Sequence, residues 1–239
     1  MKLSVCTRTY NEEHRVEKFC ASAAEYADKI LIADGGSTDR TVELASAMPK
    51  VEVRPFHKQV ECANGIMRNP DGEHIQFLID WAEQEGDWLM VMDCDHRLNR
   101  NFKDVIRERL ETSTKDFIMG LQIFMWGHDQ YFPKMSAPDG AYVYGQMGWR
   151  TSVKIKMVCK MPHFEFSLGG KSPFQVDQHA PNRREIFAPP CCFMHFGWET
   201  EEMVRKHMDY YNTSGLIAGM KHPKEFGGKL APIQDWMVE

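Results

Sequence analysis

The apolar run 88–92 is followed directly by two aspartates, Asp93 and Asp95, which are separated by a single residue. Carboxylate oxygens are the ligands that Mg²⁺ and Mn²⁺ prefer, so this pair could bind a divalent cation. Two other polar clusters, residues 7–13 and 34–39, also follow apolar runs. Taken singly, the cluster 7–13 could be only a helix cap and the cluster 34–39 only a tight turn. An Asp-x-Asp alone usually lies in a solvated loop. Their repeated position after apolar runs indicates one shared ligand site.

The elements that would position these clusters alternate along the first half of the chain. Short apolar runs predict buried strands, and between them apolar residues recur at helical spacing. The predicted strands are 2–6, 29–33, 51–53 and 88–92, and the predicted helices cover about 11–27, 38–48, 75–82 and 102–110, the first of them capped by Asn11. Such alternation predicts an α/β fold with a mostly parallel central sheet flanked by helices. Ligands bind these sheets beyond the carboxyl ends of the strands, where the polar clusters fall.

A different pattern begins after residue 115. Its segments predict strands at 117–126 and 153–160, a long functional loop at 127–149 and a helix from Glu199. Neither an internal repeat nor a low-complexity linker separates this part from the first. We therefore predict one domain over residues 1–239, with a smaller mixed portion after residue 115.

The composition narrows the class of protein. Apolar residues make up 43% of the 239 residues and charged residues 26%, which is typical of a globular chain and excludes a disordered one. The chain has 29 basic and 34 acidic residues, a net charge of −5. Proteins that bind nucleic acid or anionic membranes usually carry a basic excess, so we predict no nucleic-acid partner.

The seven cysteines and the apolar runs indicate the compartment. The cysteines contain no Cys-x-x-Cys pair, which argues against a structural zinc site and against a disulfide framework. No signal-peptide core follows the first residues, and the longest apolar stretch, 117–127, is shorter than the roughly 20 residues that span a bilayer. We predict a cytoplasmic protein with reduced thiols and no transmembrane segment.

In its polar clusters the sequence resembles the family 2 glycosyltransferases, which have the GT-A fold. The matching segments are Thr7-Arg8-Thr9-Tyr10-Asn11-Glu12-Glu13, Ile32-Ala33-Asp34-Gly35-Gly36-Ser37-Thr38-Asp39-Arg40-Thr41, Met67-Arg68-Asn69 and Asp87-Trp88-Leu89-Met90-Val91-Met92-Asp93-Cys94-Asp95. The resemblance covers about residues 1–110. Beyond them it rests on Trp149-Arg150, His163-Phe164-Glu165 and Met194-His195-Phe196-Gly197-Trp198. It implies a GT-A-like domain in which residues 1–115 bind a nucleotide-diphospho-sugar donor and residues 116–239 bind an acceptor.

The resemblance also implies roles for single residues. A divalent cation, Mn²⁺ or Mg²⁺, would stabilise the charge of the leaving diphosphate. Asp95 would bind this cation, and Asp93 would bind the ribose or a metal-bound water. Thr7 and Tyr10 would hold or stack the base, and Asp34 would accept a hydrogen bond from it. Arg68 would reach the base or the diphosphate. Arg8 and Glu12 are also assigned to the nucleotide.

His195 is implied as an additional metal ligand, since some members of the family place a histidine after a late strand. A lone histidine among Phe193, Met194 and Phe196 is more often a core residue, and that interpretation stays open. One departure from the family pattern is Gly35, where an aspartate is common.

A second departure concerns the acceptor base. The Glu-Asp pair that supplies it in many inverting members is absent. For an inverting reaction we select Glu165, with Asp177 and Glu199 as alternatives and a surface role for Glu165 also open. A retaining reaction would need no such base.

Other classes fit the sequence less well. A Rossmann enzyme needs Gly-x-Gly-x-x-Gly after the first strand, where this chain has polar residues 7–12. Phosphatases with an Asp nucleophile carry it at the first strand, and nucleotidyltransferases need a glycine-rich phosphate loop there. The resemblance thus implies a metal-dependent, inverting glycosyltransferase that acts on a UDP-sugar, with guanine or thymine as alternative bases of the donor. The acceptor could be a glycan, a lipid-linked molecule or a protein. The rival is a non-catalytic nucleotide-sugar or glycan-binding protein on the same scaffold.

Overall fold

A computed structural model describes residues 1–61, 67–136, 144–152, 159–160, 165–166, 184–214, 222–226 and 228–239. The strands before residue 100 are β1 (Leu3–Thr9), β2 (Lys29–Asp34), β3 (Val51–Pro55), β4 (Val60–Glu61), β5 (Met67–Arg68), β6 (Trp88–Val91) and β7 (His96–Leu98). The helices of this part are α1 (Val16–Ala24), α2 (Thr41–Ser46), α3 (Asp71–Ala82) and α4 (Arg100–Thr112).

The later elements are mostly strands. These are β8 (Phe117–Trp126), β9 (Gln130–Tyr131), β10 (Tyr144–Arg150), β11 (Cys159–Lys160), β12 (Glu165–Phe166), β13 (Arg184–Phe187), β14 (Phe193–His195) and β15 (Ala231–Pro232). The helices are α5 (Pro133–Ser136), α6 (Glu201–Ser214), α7 (Pro223–Phe226) and a 3-10 turn at Asp235–Met237. Among the helices of the described residues, none combines the length and the apolar character needed to cross a bilayer.

The centre of the molecule is a mixed sheet with a parallel half. Strands β3, β2, β1 and β6 are neighbours in that order and run parallel. Beyond β6, β10 pairs antiparallel with both β6 and β8, and β8 continues through β9 to β15. Gly148 of β10 lies against β6 so closely that a Cβ there would come within 2.1 Å of the Leu89 carbonyl oxygen. The predicted α/β fold, with a smaller mixed portion after the parallel strands, is confirmed.

Helices cover both faces of the parallel strands. Side chains alternate along each strand, so Trp88 and Met90 of β6 pack on one face while Leu89 packs on the other. The first face is covered by α1, α2 and α4, whose buried residues include Phe19 and Phe102. The second face is covered by α3, which contributes Ile75, Leu78, Ile79, Trp81 and Ala82. Burial on both faces explains why these strands are continuous apolar runs.

The predicted helix cap at Asn11 is wrong. Helix α1 begins only at Val16, and Asn11 has a φ of 56°, in the left-handed region that asparagine tolerates better than most residues. Its side-chain oxygen accepts a hydrogen bond from the Thr38 backbone N–H at 2.8 Å, and its own N–H donates to Ser37 Oγ at 2.9 Å. Asn11 therefore joins the segments that follow β1 and β2, instead of starting a helix.

The second half differs from the prediction at the predicted loop 127–149. Its described residues form β9, α5 and all but the last residue of β10, and residues 137–143 lie outside the description. The small size of Gly145 and Gly148 lets β10 pack closely against Phe193 and β6. Of the predicted strand 153–160, the described part is Cys159–Lys160, paired with β12, and the remainder lies outside the described residues. The predicted strand 117–126 is confirmed, and the last long helix begins at Glu201.

Candidate active site

The carboxyl ends of β1, β2 and β6 lie at one edge of the sheet because these strands run parallel. Thr9 of β1 is in register with Asp34 of β2, and its hydroxyl donates a hydrogen bond to Asp34 Oδ1 at 2.9 Å. On the other side of β1, Arg8 Nη2 lies 3.5 Å from Asp93 Oδ1, just after β6. The polar clusters that the sequence singles out therefore meet at this edge.

Asp34 organises the turn after β2. Its carboxylate accepts hydrogen bonds from the Thr9 hydroxyl, the Gly36 N–H, the Ser37 N–H and the Ser37 hydroxyl. Gly36 has a φ of 93°, a conformation that glycine adopts without strain. A carboxylate has about four lone-pair sites, so these four bonds fill the acceptor capacity of Asp34. A donor on a nucleobase would have to share or replace one of them.

The glycine that departs from the family pattern has a structural partner. A Cβ on Gly35 would lie 2.0 Å from Oδ1 of Asn69, which comes directly after β5. The Asn69 amide nitrogen donates to the Lys58 carbonyl at 2.9 Å. Glycine at position 35 therefore lets the segment after β5 approach the turn after β2.

A compact group of three potential metal ligands lies beside this edge, formed by Asp95, His96 and His195. Strand β14 pairs antiparallel with β7 so that His195 is in register with His96, and it pairs parallel with β8 on its other side. His195 Nε2 lies 3.3 Å from Asp95 Oδ2, and His96 Nε2 lies 3.8 Å from Asp95 Oδ1. The predicted pair Asp95 and His195 is thus brought together.

Burial and charge act in opposite directions on this group. Burial raises the pKa of Asp95, but the charge of His195 and its hydrogen bond to the carboxylate, with smaller contributions from His96 and Arg15, outweigh burial and hold that pKa below its usual value. Burial lowers the pKa of His195, but the Asp95 carboxylate outweighs it and the pKa is raised. For His96 burial dominates and the pKa is lowered. The carboxylate is therefore ionised, as a cation ligand must be.

The group has the properties of a cation site. A separation of 3.3 Å between Asp95 Oδ2 and His195 Nε2 suits two ligands of one ion, each at roughly 2.1–2.2 Å from it. A carboxylate with an imidazole suits Mn²⁺. The residues present therefore fit the divalent cation that the resemblance implies.

Glu12 lies next to this group. Burial raises its pKa to about 7, with Arg15 lowering it and the Asp95 and Asp93 carboxylates raising it. Arg15 Nη1 lies 3.4 Å from Glu12 Oε2. Glu12 is thus a third carboxyl group in the field of the two aspartates, compensated in part by one guanidinium.

Arg15 also connects this edge to the second half of the chain. Its Nε lies 3.8 Å from Oε2 of Glu199, which precedes α6. Lys18 Nζ and His128 Nε2 each lie 3.8 Å from the other Glu199 oxygen. The Glu199 side chain, 11% exposed, is therefore surrounded by three basic groups.

The remaining predicted site residues lie in different environments. Thr7 is fully buried in β1, with its hydroxyl 3.4 Å from the Arg8 carbonyl oxygen, whereas Tyr10 is 50% exposed just beyond that strand. Arg68 lies in β5, and Glu165 lies in β12, opposite Lys160 of β11. The side chains of Arg68 and Glu165 are not among the described parts of the chain.

Sequence reasoning missed two residues of the site. His96 follows Asp95 directly, and its position in an Asp-x-Asp-His run was the available signal. Gly197 lies against the cluster, since a Cβ on it would come within 2.8 Å of His195 Nε2 and 3.3 Å of Asp95 Oδ2. The sequence shows this glycine within the segment Met194-His195-Phe196-Gly197-Trp198, but its approach to Asp95 depends on long-range pairing that no local pattern reveals.

Replacing Gly197 by alanine is expected to weaken Mn²⁺ binding about fivefold or more while leaving both ligands in place. The added methyl group would crowd the space between them, and overpacking costs about 1–3 kcal/mol, which corresponds to roughly fivefold to 150-fold in affinity. Calorimetric titration with MnCl₂ measures this effect. Gly35→Ala is the matched control, because its methyl group meets the Asn69 side chain and not the cluster. Equal Mn²⁺ affinities in the two variants would contradict the location of the site.

Comparison with solved structures defines the fold class. The chain superposes on a fragment of S. aureus TarS covering its residues 1–349 with a TM-score of 0.52 and 17% identity, over 91% of this chain and 67% of that one. For a second, longer structure of S. aureus TarS the TM-score is 0.54 and the identity 16%, over 94% of this chain and 41% of that one. At these identities the likeness shows the fold, which is GT-A.

The family follows from sequence. Residues 4–188 match the model of glycosyl transferase family 2, and the chain belongs to this family of transferase enzymes. It is 28% identical over 126 residues to an uncharacterized glycosyltransferase of Rickettsia bellii, a match that covers 51% of this chain and 37% of the relative. An uncharacterized glycosyltransferase of Rickettsia conorii is 27% identical over 144 residues, covering 57% and 45%. The matches thus span less than half the length of these curated relatives.

Proposed function

We propose that this chain transfers a sugar from a nucleotide diphosphate donor to an acceptor hydroxyl, with Mn²⁺ or Mg²⁺ bound at Asp95 and His195. The observation that carries the proposal is the 3.3 Å approach of His195 Nε2 to Asp95 Oδ2 at the edge where β1, β2 and β6 end. Family membership supports the same type of reaction. A cation held there would offset the negative charge that develops on the departing diphosphate.

The donor side is assigned to residues of the first half. Asp93, beside Arg8, is suited to the ribose or to a water on the cation, and Arg8 places a positive charge where a phosphate would lie. Tyr10 is half exposed and offers a ring on which a base can stack. We propose uracil as that base, with Asp34, Thr7, Arg68 and Glu12 completing the donor site.

The acceptor side is assigned to the second half. We propose a single domain over residues 1–239, in which residues 116–239 bind a glycan, a lipid-linked molecule or a protein. The transfer would invert the anomeric carbon, with Glu165 removing the proton of the attacking hydroxyl. Reduced thiols at Cys6, Cys20, Cys94, Cys191 and Cys192, all buried, fit the proposed cytoplasmic location.

Titration of the chain with UDP tests the donor and the cation together. Because the cation and the diphosphate would attract one another in one site, Mn²⁺ is expected to tighten UDP binding by tenfold or more, within the usual range of coupling between two sites. The measurement is calorimetry with UDP in the presence of MnCl₂ or EDTA, with GDP and dTDP as comparisons. UDP affinity that is the same with and without Mn²⁺ would contradict the proposal.

Hydrolysis of nucleotide sugars tests the reaction itself. A panel of UDP-, GDP- and dTDP-sugars is incubated with the chain and Mn²⁺, and release of the nucleotide diphosphate is followed. Release from one of these donors supports the transferase. Metal-dependent nucleotide binding without turnover over a wide donor and acceptor panel would favour the non-catalytic binding protein instead.

A further inference from the structure

His96 has its two ring nitrogens engaged on different partners. The backbone N–H of Asp93 donates a hydrogen bond to His96 Nδ1, with the two nitrogens 3.3 Å apart. The other nitrogen, Nε2, faces Asp95 Oδ1 at 3.8 Å. An imidazole nitrogen that accepts a hydrogen bond carries no proton, so the ring proton of neutral His96 is on Nε2.

The surrounding side chains fix the orientation of this ring. Strand pairing sets His96 opposite His195, and the two ring centroids are 5.0 Å apart at an interplanar angle of 74°. Phe193, in the same strand as His195, packs its ring 5.4 Å from that of His96. Turning the imidazole over would place a carbon against the Asp93 N–H and leave this donor without its acceptor. The strand contacts and the hydrogen bond therefore favour one orientation.

Asp95 has two oxygens in different environments. Oδ1 is shut off from solvent and makes no hydrogen bond within the described part of the chain, and the proton-bearing Nε2 of His96 lies opposite it. Oδ2 faces His195 Nε2 at 3.3 Å and lies on the side of Gly197. Of the two oxygens, Oδ2 is the one that lies closer to a potential second ligand atom, His195 Nε2.

We propose that His96 is a positioning residue, which receives the Asp93 N–H on Nδ1 and directs Nε2–H at Oδ1 of Asp95, so that Oδ2 and His195 Nε2 are left to bind the cation. His96 is therefore not a third ligand, although its Nε2 is close enough to count as one by distance alone. Histidine and carboxylate groups that orient a ligand in this way commonly change metal affinity by about 10–100-fold when removed. This inference rests on the proposed cation site at Asp95 and His195.

The ring proton can be observed directly. Long-range ¹H–¹⁵N correlation spectra of the ¹⁵N-labelled chain without metal distinguish a protonated Nε2 from a protonated Nδ1, and the spectrum of His96→Gln identifies the signal. We expect Nε2–H. A protonated Nδ1 would overturn the proposal. This readout does not depend on the cation, so it separates failure of the His96 assignment from failure of the cation site, which would appear as absence of Mn²⁺ binding to the wild-type chain.

Variants at position 96 distinguish positioning from ligation. The amide nitrogen of glutamine reaches about as far as Nε2 of histidine and donates a hydrogen bond, but it is a poor metal ligand. We expect His96→Gln to bind Mn²⁺ within about threefold of the wild-type chain and His96→Ala to bind it 10–100-fold more weakly. His195→Gln, which removes a ligand, should lose affinity that glutamine does not restore. His57→Ala, at an exposed histidine after β3, is the control and should bind as the wild type does.

The Mn²⁺ affinities of these variants decide whether His96 positions Asp95 or binds the cation. Mn²⁺ binding restored by glutamine at position 96 but not at position 195 supports the proposal. Equal losses in His96→Gln and His195→Gln would make His96 a ligand and overturn it. Wild-type affinity in His96→Ala, with the fold intact by circular dichroism, would overturn it as well.

Discussion

Asp95→Ala is expected to lower kcat/KM for sugar transfer about a thousandfold and to abolish the Mn²⁺-dependent part of UDP binding. The variant removes the carboxylate that faces His195 at 3.3 Å, and with it the charge that would hold the cation. Stabilisation of a leaving group by a metal amounts to several kcal/mol, and each 1.36 kcal/mol is tenfold in rate. Steady-state kinetics with the donor found in the hydrolysis panel gives the first value, and calorimetry gives the second.

Two further variants make this result specific. Asp104→Ala removes an exposed carboxylate from α4 and should leave both quantities unchanged. Asp95→Asn keeps the shape of the side chain without its charge and should resemble Asp95→Ala. Metal-dependent UDP affinity that survives in Asp95→Ala would show that the cation, if one is used, is bound elsewhere.

Glu165→Gln is expected to lower kcat at least a hundredfold while leaving UDP affinity intact. Inverting transfer is an in-line displacement, so a base must take the proton of the acceptor hydroxyl as it attacks, and a general base contributes about 10²–10⁴-fold. Glutamine has the same size but cannot accept this proton. The comparison is made at saturating donor and acceptor, with UDP binding measured on the same preparation.

Glu199→Gln is the matched variant for this prediction. The Glu199 carboxylate already has Arg15, Lys18 and His128 as ion-pair partners, each at 3.8 Å, so both of its oxygens are engaged. We therefore expect a smaller loss of kcat than in Glu165→Gln. The opposite order would move the base to Glu199, and a product with retained configuration would remove the need for a base.

The first half of the fold was predictable because its strands are buried on both faces. Residues 30–33 and 88–92 have apolar side chains that pack on both faces of the sheet, which produces continuous apolar runs. The parallel direction of these strands then places Asp34 and Asp93 at one edge. The shared site could be inferred from this rule alone, without side-chain geometry.

Other parts were not predictable from local pattern. Strands β7 and β14 have three residues each, too few to show a period, and the pairing of β14 with both β7 and β8 decides their structure. Asn11 has the residue type of a helix cap, but its side chain bonds to the segment after β2 instead. The alignment of His96 with His195 depends on the same long-range pairing, and for that reason His96 was missed.

The insertion of β14 between β7 and β8 also has a consequence for biogenesis. Asp95 and His195 are separated by a hundred positions in the chain, and contacts of such long range form late because loop-closure entropy must be overcome first. A nascent chain that ends before β14 holds one half of the proposed cation site without the other. A cation that binds only the finished fold would then stabilise it by mass action. Metal loading would therefore distinguish chains that contain β14 from shorter nascent chains.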